Sequence, residues 1–307
     1  MNKPALKNLK DLPYGGAQYV DDPNLKQWVK DTAIMIAEEE PWFDEDIHIK
    51  FLNRYREWLL SSKENYFVNL DWFKHSAFSL GTSEAFDKFY MKHSNRRFRC
   101  LPGEYMYHQA SFRNFFPDWR FIDEDNPIKR TDALVVSMPF SDGTEPFMKE
   151  IFNECSHLQV PILLDCAYMG ICRNYVFELN YPTIEAVTFS LSKFLPVPHF
   201  RIGMRLTKED DDDSLMVHHK TRYVNRFGCA MGLEILNNFH PDDIVNGYQP
   251  AQEALCKELG VEPSKCVIFG VDTQNKYPEY NRGGTTNRLC LSRHLYSKRL
   301  DLHKDIK

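Results

Sequence analysis

Two stretches of the chain decide its fold: V-P-I-L-L-D-C-A-Y (160–168) and E-A-V-T-F-S-L-S-K-F-L-P-V-P-H-F-R-I-G-M-R-L (185–206). A further short apolar run is D-A-L-V-V-S-M (132–138). An amphipathic segment at 146–158 separates this run from the one at 160–168. Continuous apolar strands that alternate with helices are typical of a sheet buried on both faces. The pattern predicts an α/β domain with a mostly parallel central sheet and helices on both faces.

The segments that flank this core are predicted to be helical. Apolar positions at helical spacing predict helices at about 25–39, 47–61 and 223–239. Pro41 ends the first of these helices, and His240-Pro241 supplies a break after the third. A domain boundary near residue 240 is therefore expected.

The C-terminal part of the chain favours a small α+β unit. We predict a helix at about 250–259 that stops at Gly260, strands at 266–270 and 288–292, and a terminal helix. The predicted division of the chain is an N-terminal segment associated with the small domain (1–45), a large domain (46–240) and a small C-terminal domain (241–307).

Composition and charge exclude several classes of function. The chain has 307 residues, of which 43% are hydrophobic and 26% charged, as is usual for a globular protein. Its net charge of -5 disfavours a protein that coats DNA or RNA. No run of about 18 apolar residues predicts a membrane span, and the first residues lack a signal-peptide pattern. We therefore expect a cytoplasmic protein without nucleic-acid or membrane partners.

The eight cysteines are scattered along the sequence, with no C-x-x-C pair and no matching histidine spacing. The sequence thus supports neither a zinc site nor a disulfide framework. We expect reduced, mostly buried thiols and no bound metal.

Four residues in fixed order suggest a particular chemistry. Asp165 ends an apolar strand, Tyr168 follows in D-C-A-Y, Lys193 lies in S-L-S-K after the next strand, and Arg201 comes eight residues later. Pyridoxal phosphate (PLP) needs an amine for its aldehyde, an anion for its pyridine nitrogen, and cationic and hydroxyl donors for its phosphate. Lys193, Asp165 and Arg201 match these three needs.

The order of these motifs resembles the signature of the fold type I PLP-dependent aminotransferases of class I/II, of which this chain would be a compact member. The resemblance implies that Lys193 forms the Schiff base and moves the substrate proton. It implies that Asp165 binds the pyridine nitrogen and Tyr168 the ring hydroxyl oxygen. The phosphate-binding residues that it implies are Ser190, Ser192 and Arg201.

The resemblance extends upstream of these motifs. Gly81, Thr82 and Ser83 stand where the family presents the N-terminus of a helix to the phosphate. In L-P-G-E-Y-M-Y-H-Q, one aromatic residue is expected to stack on the pyridine ring. We assign this role to Tyr105 and keep Tyr107 as the second choice.

Substrate-binding residues are implied at the two ends of the chain. T-N-R-L-C-L-S resembles the strand that carries the family's carboxylate-binding arginine, which indicates Arg288. P-Y-G-G-A-Q-Y resembles the N-terminal loop that contacts the same carboxylate through its backbone. That contact falls on Gly15 or Gly16, and we assign it to Gly16.

The chain departs from the family where S-M-P-F-S-D-G (137–143) replaces the usual asparagine-proline motif. The asparagine that bonds the ring oxygen is not evident, so Ser141 or Asp142 replaces it or the bond is missing. Such a loss can change the type of reaction. The chain is also short for the family.

Three functions are consistent with these residues. The first is an aminotransferase that moves an amino group between an L-amino acid and a 2-oxo acid through a Lys193 Schiff base. The second is a PLP-dependent lyase, decarboxylase or racemase that acts on an amino acid. The third is a binding or regulatory protein that keeps the fold without turnover. The resemblance also implies a homodimer, with 1–45 contributing to a dimer arm.

Overall fold

The computed structural model describes residues 16–108, 111, 119–123 and 126–304. The helices include α1 (Pro23–Glu39), α2 (Ile47–Leu60), α3 (Thr82–Lys92), α4 (Met148–Leu158), α5 (Ser214–Thr221), α6 (Arg226–Asn238), α7 (Asp243–Leu259) and α8 (Leu295–Lys304). The strands are β1 (Asn65–Val68), β2 (His75–Ser79), β3 (Arg97–Cys100), β4 (Arg120–Phe121), β5 (Asp132–Ser137), β6 (Ile162–Asp165), β7 (Tyr175–Glu178), β8 (Ile184–Ser190), β9 (Gly203–Thr207), β10 (Glu262–Pro263), β11 (Phe269–Asp272) and β12 (Asn287–Cys290).

Seven strands form the central sheet in the order β2-β9-β8-β6-β5-β3-β4. Neighbouring strands are parallel except around β9, which runs antiparallel to both β2 and β8. A smaller antiparallel sheet, β10-β11-β12, lies toward the C-terminus, and β1 pairs with β7 in a separate parallel ribbon. The predicted α/β class, with a mostly parallel central sheet and a small α+β unit, is confirmed.

Strand β5 shows why the central strands are apolar throughout. Ala133 and Val135 belong to a cluster that contains the buried face of α3, whereas Leu134 and Val136 belong to a second cluster that contains α2, α6 and α7. Successive residues of a strand point to opposite faces of its sheet. Both faces of the sheet are therefore covered by helices, which requires apolar residues at every position of the strand.

The direction of the strands concentrates polar residues at one edge of the sheet. Strands β2, β5, β6 and β8 run in the same direction and end at Ser79, Ser137, Asp165 and Ser190. In open α/β sheets, ligands bind in the crevice beyond the carboxyl ends of such strands. The fold thus brings together segments that are distant in the sequence.

The N-terminal segment packs against the C-terminal part of the chain. The backbone N–H of Asp21 donates to the carbonyl of Ser292 at 3.0 Å, and the Ser292 hydroxyl donates to the carbonyl of Gln18 at 2.7 Å. Tyr248 in α7 donates its hydroxyl to Asp22, whose other carboxylate oxygen caps α1. These contacts fit an association of the N-terminal segment with the small domain, while the domain limits stay a prediction.

Helix α7 begins earlier than the sequence analysis predicts. It starts at Asp243 rather than near Pro250, and Pro250 lies inside the helix. Proline removes one backbone hydrogen bond from a helix interior. Here the turns before it bury Ile244 and Tyr248, so packing of the apolar face outweighs the lost bond.

Strand β11 begins later than predicted, at Phe269 rather than Cys266. The side-chain amide of the buried Gln252 donates to the carbonyls of Ser264, Cys266 and Phe269 at 2.8–3.0 Å. The backbone N–H of Phe269 also donates to the Cys266 carbonyl at 3.0 Å, which closes a turn. The residues before Phe269 therefore form a loop held by α7.

All eight cysteines lie within the described residues, where they are buried and free of disulfide bonds. The same residues contain no cluster of His, Cys, Asp and Glu side chains that could hold a metal ion. Among the helices of the described ranges, none is both long and apolar enough to cross a membrane.

Candidate active site

A cavity of about 230 Å³ opens at the carboxyl edge of the central sheet. Its wall contains these residues from the sequence analysis: Gly16, Thr82, Ser83, Tyr105, Ser141, Asp165, Tyr168, Ser190, Ser192, Lys193, Arg201 and Arg288. Its wall also contains residues that the sequence analysis did not select: Ala17, Ser137, Pro139, Ala167, Pro198 and Arg282. Gly81, Tyr107 and Asp142 do not line it. Gly15 lies outside the described residues.

Lys193 is fixed in the cavity wall by the loop that follows β8. The next residue, Phe194, is fully buried and packs edge-on against Trp58 with ring centroids 5.1 Å apart. The Lys193 Nζ donates a hydrogen bond to the carbonyl of Ala17 at 2.7 Å. Burial lowers the pKa of the Lys193 ammonium, and the positive charge of Arg288 acts in the same direction. A larger fraction of the amine is therefore neutral and able to act as a nucleophile.

Asp165 closes the floor of the cavity at the end of β6. Asp165 is only 5% exposed, and one of its carboxyl oxygens accepts a hydrogen bond from the backbone N–H of Ala167 at 3.0 Å. Burial, together with the negative charge of Glu104, raises the pKa of Asp165 to about 8. A positive group in the cavity would favour the ionised form of this carboxyl.

Hydrogen-bond donors of the kind that bind a phosphate lie around the N-terminus of α3. Arg201 Nη2 donates to the carbonyl of Leu80 and to the hydroxyl of Ser83, both at 2.8 Å. Gly81 precedes the helix with φ of 73°, and a Cβ there would lie 2.6 Å from Arg201 Nη2. The absence of a side chain at Gly81 therefore lets the guanidinium lie against the start of the helix, where backbone N–H groups favour an anion.

Two serines extend this group of donors from the end of β8. The hydroxyls of Ser190 and Ser192 lie 2.6 Å apart, and the backbone N–H of Ser192 donates to the Ser190 hydroxyl at 3.2 Å. Both serines line the same cavity as Thr82 and Arg201. The cavity thus has a cationic and hydroxyl-rich end.

Two tyrosines near residue 105 occupy different environments. Tyr105 is 47% exposed and lines the cavity, and its ring stacks on Tyr107 with centroids 5.9 Å apart. The Tyr107 hydroxyl donates to the Asp87 carboxylate, at 2.7 Å to the nearer oxygen. Tyr107 is therefore held by its bond to α3, and of these two tyrosines it is Tyr105 that lines the cavity.

Tyr168 and Arg288 both contact the ring of Phe269. The Tyr168 ring packs edge-on against Phe269 at 5.4 Å, and the Arg288 guanidinium lies 4.6 Å from the centre of the same ring. Burial raises the pKa of Tyr168 to about 12, so the phenol stays protonated at neutral pH. Arg288 is 5% exposed and donates from Nη1 to the carbonyl of Ser141.

The two candidates for the missing asparagine differ in position. Ser141 lines the cavity, but its hydroxyl donates to the carbonyl of Gly103. Asp142 accepts hydrogen bonds from Thr144 and from the hydroxyl of Thr286, the latter at 2.6 Å. Of the two, Ser141 alone lines the cavity in the described structure, and Asp142 instead joins the S-M-P-F-S-D-G loop to the loop before β12.

Comparison with solved structures identifies this architecture. A protein of Clostridium difficile 630 that is assigned to the aminotransferases, solved with bound PLP, superposes with a TM-score of 0.66 at 12% identity, covering 94% of this chain and 90% of that one. The aromatic aminotransferase of Pyrococcus horikoshii OT3 gives 0.63 at 12% identity, covering 97% and 96%. The chain has the fold of the fold type I aminotransferases.

The same fold also carries other chemistry. L-threonine-O-3-phosphate decarboxylase of Porphyromonas gingivalis superposes with a TM-score of 0.61 at 13% identity, covering 95% of this chain and 99% of that one. No protein-family model and no curated protein sequence matches the chain. The likeness is therefore one of fold, and the function must be argued from the site.

Glu104 is a buried residue that the sequence analysis missed and that bonds Ser137 of the cavity wall. It is 1% exposed, and its carboxylate accepts the backbone N–H and the hydroxyl of Ser137 at 2.8 and 2.7 Å. Burial raises the pKa of Glu104 to about 7, against the lowering effect of the Ser137 bonds. A single glutamate in a loop carries no periodic signal, so only the fold shows that its charge acts on Asp165.

Arg282 is the second residue that the sequence analysis missed. It lies in the loop before β12 and lines the cavity with Arg288. Burial lowers the pKa of Arg282, and the positive charge of Arg288 lowers it further. The glycines of its loop, N-R-G-G-T-T (281–286), indicate a turn, and no pattern in the sequence marks Arg282 as a binding residue.

Proposed function

We propose that the protein is a PLP-dependent aminotransferase that moves an amino group between an L-amino acid and a 2-oxo acid. The observation that carries the proposal is the presence of an amine, a buried carboxyl and an anion-binding end in one cavity, supplied by Lys193, Asp165 and Arg201. When bound, PLP supplies an electrophilic carbon and an electron sink for the substrate.

The donor set fits this cofactor in its chemistry. The N-terminus of α3 and Arg201 offer N–H and guanidinium donors to a phosphate, and Ser190 and Ser192 add hydroxyls. Asp165 offers a carboxylate to a ring nitrogen, and Tyr105 offers an aromatic face to the ring. Gly81 leaves the room that Arg201 needs at the phosphate end.

Asp165 would act through its charge. Burial of Asp165 favours the neutral, protonated form of its carboxyl. The ionised Asp165 would hold the protonated ring nitrogen by a charge-assisted hydrogen bond, and the opposite charge would favour the ionised form of this carboxyl. The carboxylate would in turn hold the proton on the nitrogen.

Lys193 would serve both as the attachment point and as the proton carrier. Its Nζ must be neutral to attack a carbonyl carbon, and burial favours the neutral form. The carbonyl of Ala17 fixes the position of the amine. Once displaced by the substrate amine, the Lys193 Nζ would hold and move the proton of the substrate α-carbon.

Arg288 would hold the substrate carboxylate. Its guanidinium is planar and can form two parallel hydrogen bonds to a carboxylate. Its bond to the Ser141 carbonyl and its position over Phe269 fix its orientation. The Gly16 backbone lies in the same wall and would supply a further contact.

The half-reaction tests this proposal. Protein loaded with PLP is mixed with a panel of L-amino acids, and absorbance follows conversion of the aldehyde form of the cofactor to its amine form. We expect conversion by at least one amino acid and its reversal by the matching 2-oxo acid. Absence of conversion across the panel would overturn the proposal. Lys193→Ala should abolish conversion, and Lys208→Ala is the matched control, because burial also lowers the pKa of Lys208 in a place outside the cavity.

A lyase, decarboxylase or racemase is the second candidate. The observation in its favour is the loop at 137–143, where Ser141 commits its hydroxyl to Gly103 and no asparagine is present. The fold also occurs in a decarboxylase. Release of ammonia or carbon dioxide, or inversion at the α-carbon, without accumulation of the amine form of the cofactor would favour this class.

The homodimer and the cytoplasmic location stay part of the proposal. Sedimentation equilibrium should give twice the mass of one chain, and a mass of 36.2 kDa would refute the dimer. A protein that binds PLP but converts no amino acid to any product would instead support the binding or regulatory role.

A further inference from the structure

We propose that Arg282 binds a second negative charge on the substrate, so that the preferred amino acid carries an anionic side chain, either a carboxylate or a phosphate. This inference rests on the proposed function and specifies its substrate class. Arg282 belongs to the loop before β12 and reaches the same cavity as Arg288 and Lys193.

The charge of Arg282 has no counterpart in the described part of the chain. Its Nε is buried without a hydrogen-bond partner there, and no described carboxylate lies within ion-pair distance of its guanidinium. Two fully buried arginines are paired with carboxylates: Arg99 bonds Asp132 at 2.6 Å, and Arg205 bonds Asp213. Arg282 is half-buried in the wall of the cavity. A partly desolvated guanidinium without an anion is unfavourable, so this position suits an anion that enters the cavity from outside.

The loop holds Arg282 in place. The side-chain amide of Asn281 donates to the carbonyls of Gly284 and Thr286 and to the side chain of Asn287 at 3.1–3.2 Å. The backbone N–H of Gly283 donates back to Asn281 at 2.8 Å. The two residues on either side of Arg282 are therefore bonded to each other across it, which fixes its backbone.

The surroundings of Arg282 assign it to the substrate rather than to the cofactor phosphate. Arg201 bonds Leu80 and Ser83 at the phosphate end. Arg282 instead interacts electrostatically with Arg288 and with the two tyrosines at 105 and 168. One α-carboxylate can satisfy Arg288, which leaves the second guanidinium for the side chain of the substrate.

Binding of unreactive acids tests the inference without turnover. Succinate carries two carboxylates, whereas butyrate has the same chain length and only one. By calorimetry on the PLP-loaded protein, we expect succinate to bind at least about tenfold more tightly than butyrate. Arg282→Gln should bring the two affinities within about twofold by weakening succinate alone, and Arg288→Gln should weaken both acids. Equal affinities in the unmodified protein, or an unchanged ratio in Arg282→Gln, would overturn the inference.

The amino-donor panel separates this inference from the proposed function. L-Aspartate, L-glutamate and O-phospho-L-serine are compared with L-asparagine, L-glutamine and L-serine in the half-reaction. Faster conversion by either kind of acidic donor supports the inference, and the better of the two identifies the anion as carboxylate or phosphate. Conversion by the neutral donors at equal or greater rates refutes the inference while the proposed function stands. No conversion by any donor refutes the proposed function, and the succinate-to-butyrate ratio still tests Arg282.

Discussion

Replacing the buried carboxyl of Glu104 by an amide should stabilise the empty protein at alkaline pH. Glu104 has a pKa raised by burial to about 7, against 4.5 for an ordinary glutamate. The folded protein keeps this proton in a range where the unfolded chain has lost it. The stability gained by that proton is therefore fully present below about pH 4.5 and is lost as the pH rises through about 7.

The size of the effect follows from the two pKa values. A difference of about 2.5 units at 1.36 kcal/mol per unit corresponds to about 3 kcal/mol at pH 8.5. Glu104→Gln removes this cost and keeps an acceptor for the backbone N–H of Ser137. The rearranged bond to the Ser137 hydroxyl costs about 1 kcal/mol. The expected net gain in the free energy of unfolding is about 2 kcal/mol at pH 8.5, with no gain at pH 4.5.

Urea denaturation of the PLP-free protein at pH 4.5 and pH 8.5 measures the difference. Glu154→Gln is the control, since it removes one negative charge from an exposed position of α4. Its effect should stay within about 0.5 kcal/mol at both pH values. Equal stability of Glu104→Gln and the unmodified protein at pH 8.5 would refute the assignment of a buried, uncompensated charge to Glu104.

Three further substitutions probe the site and its support. Gly81→Ala should weaken binding of PLP at least about tenfold in a fluorescence titration, because the new Cβ meets the Arg201 guanidinium; unchanged affinity would contradict the proposed phosphate end. Tyr105→Ala should weaken the same binding of PLP. Tyr107→Phe should leave the affinity for PLP unchanged but lower the free energy of unfolding by about 1 kcal/mol, because it loses the hydrogen bond to α3. The reverse pattern would exchange the roles of the two tyrosines. Phe194→Ala should cost about 3–5 kcal/mol in urea denaturation, and a cost below about 1 kcal/mol would show that this ring does not anchor the lysine loop.

The sequence predicted those features that repeat or stand at fixed spacing. Continuous apolar runs indicate the central strands, and the motif order places Asp165 at the end of β6 and Lys193 just beyond the end of β8, where the structure has them. Strand direction then explains why residues 28 positions apart face one cavity. The family resemblance, rather than spacing alone, supplied the roles given to them.

Other features depend on tertiary contacts that one sequence does not reveal. Glu104 and Arg282 are single charged residues in loops, and only the packed fold shows that one is buried and the other lacks a described partner. In the sequence, Pro250 is typical of a helix start. The helix nevertheless begins at Asp243, because distant elements pack against the apolar face of its first turns. The hydrogen bonds from the Gln252 side chain to backbone carbonyls likewise hold the residues before β11 in a loop, and no local sequence pattern predicts these bonds.

The most direct test of the proposed function is chemical reduction of the PLP-loaded protein with borohydride, followed by peptide mapping by mass spectrometry. We predict that the reduced cofactor is attached to the peptide that contains Lys193, that Lys193→Ala carries no such attachment, and that Lys208→Ala labels as the unmodified protein does. Attachment at another lysine, or a colourless protein that takes up no PLP and stays unlabelled, would contradict the account.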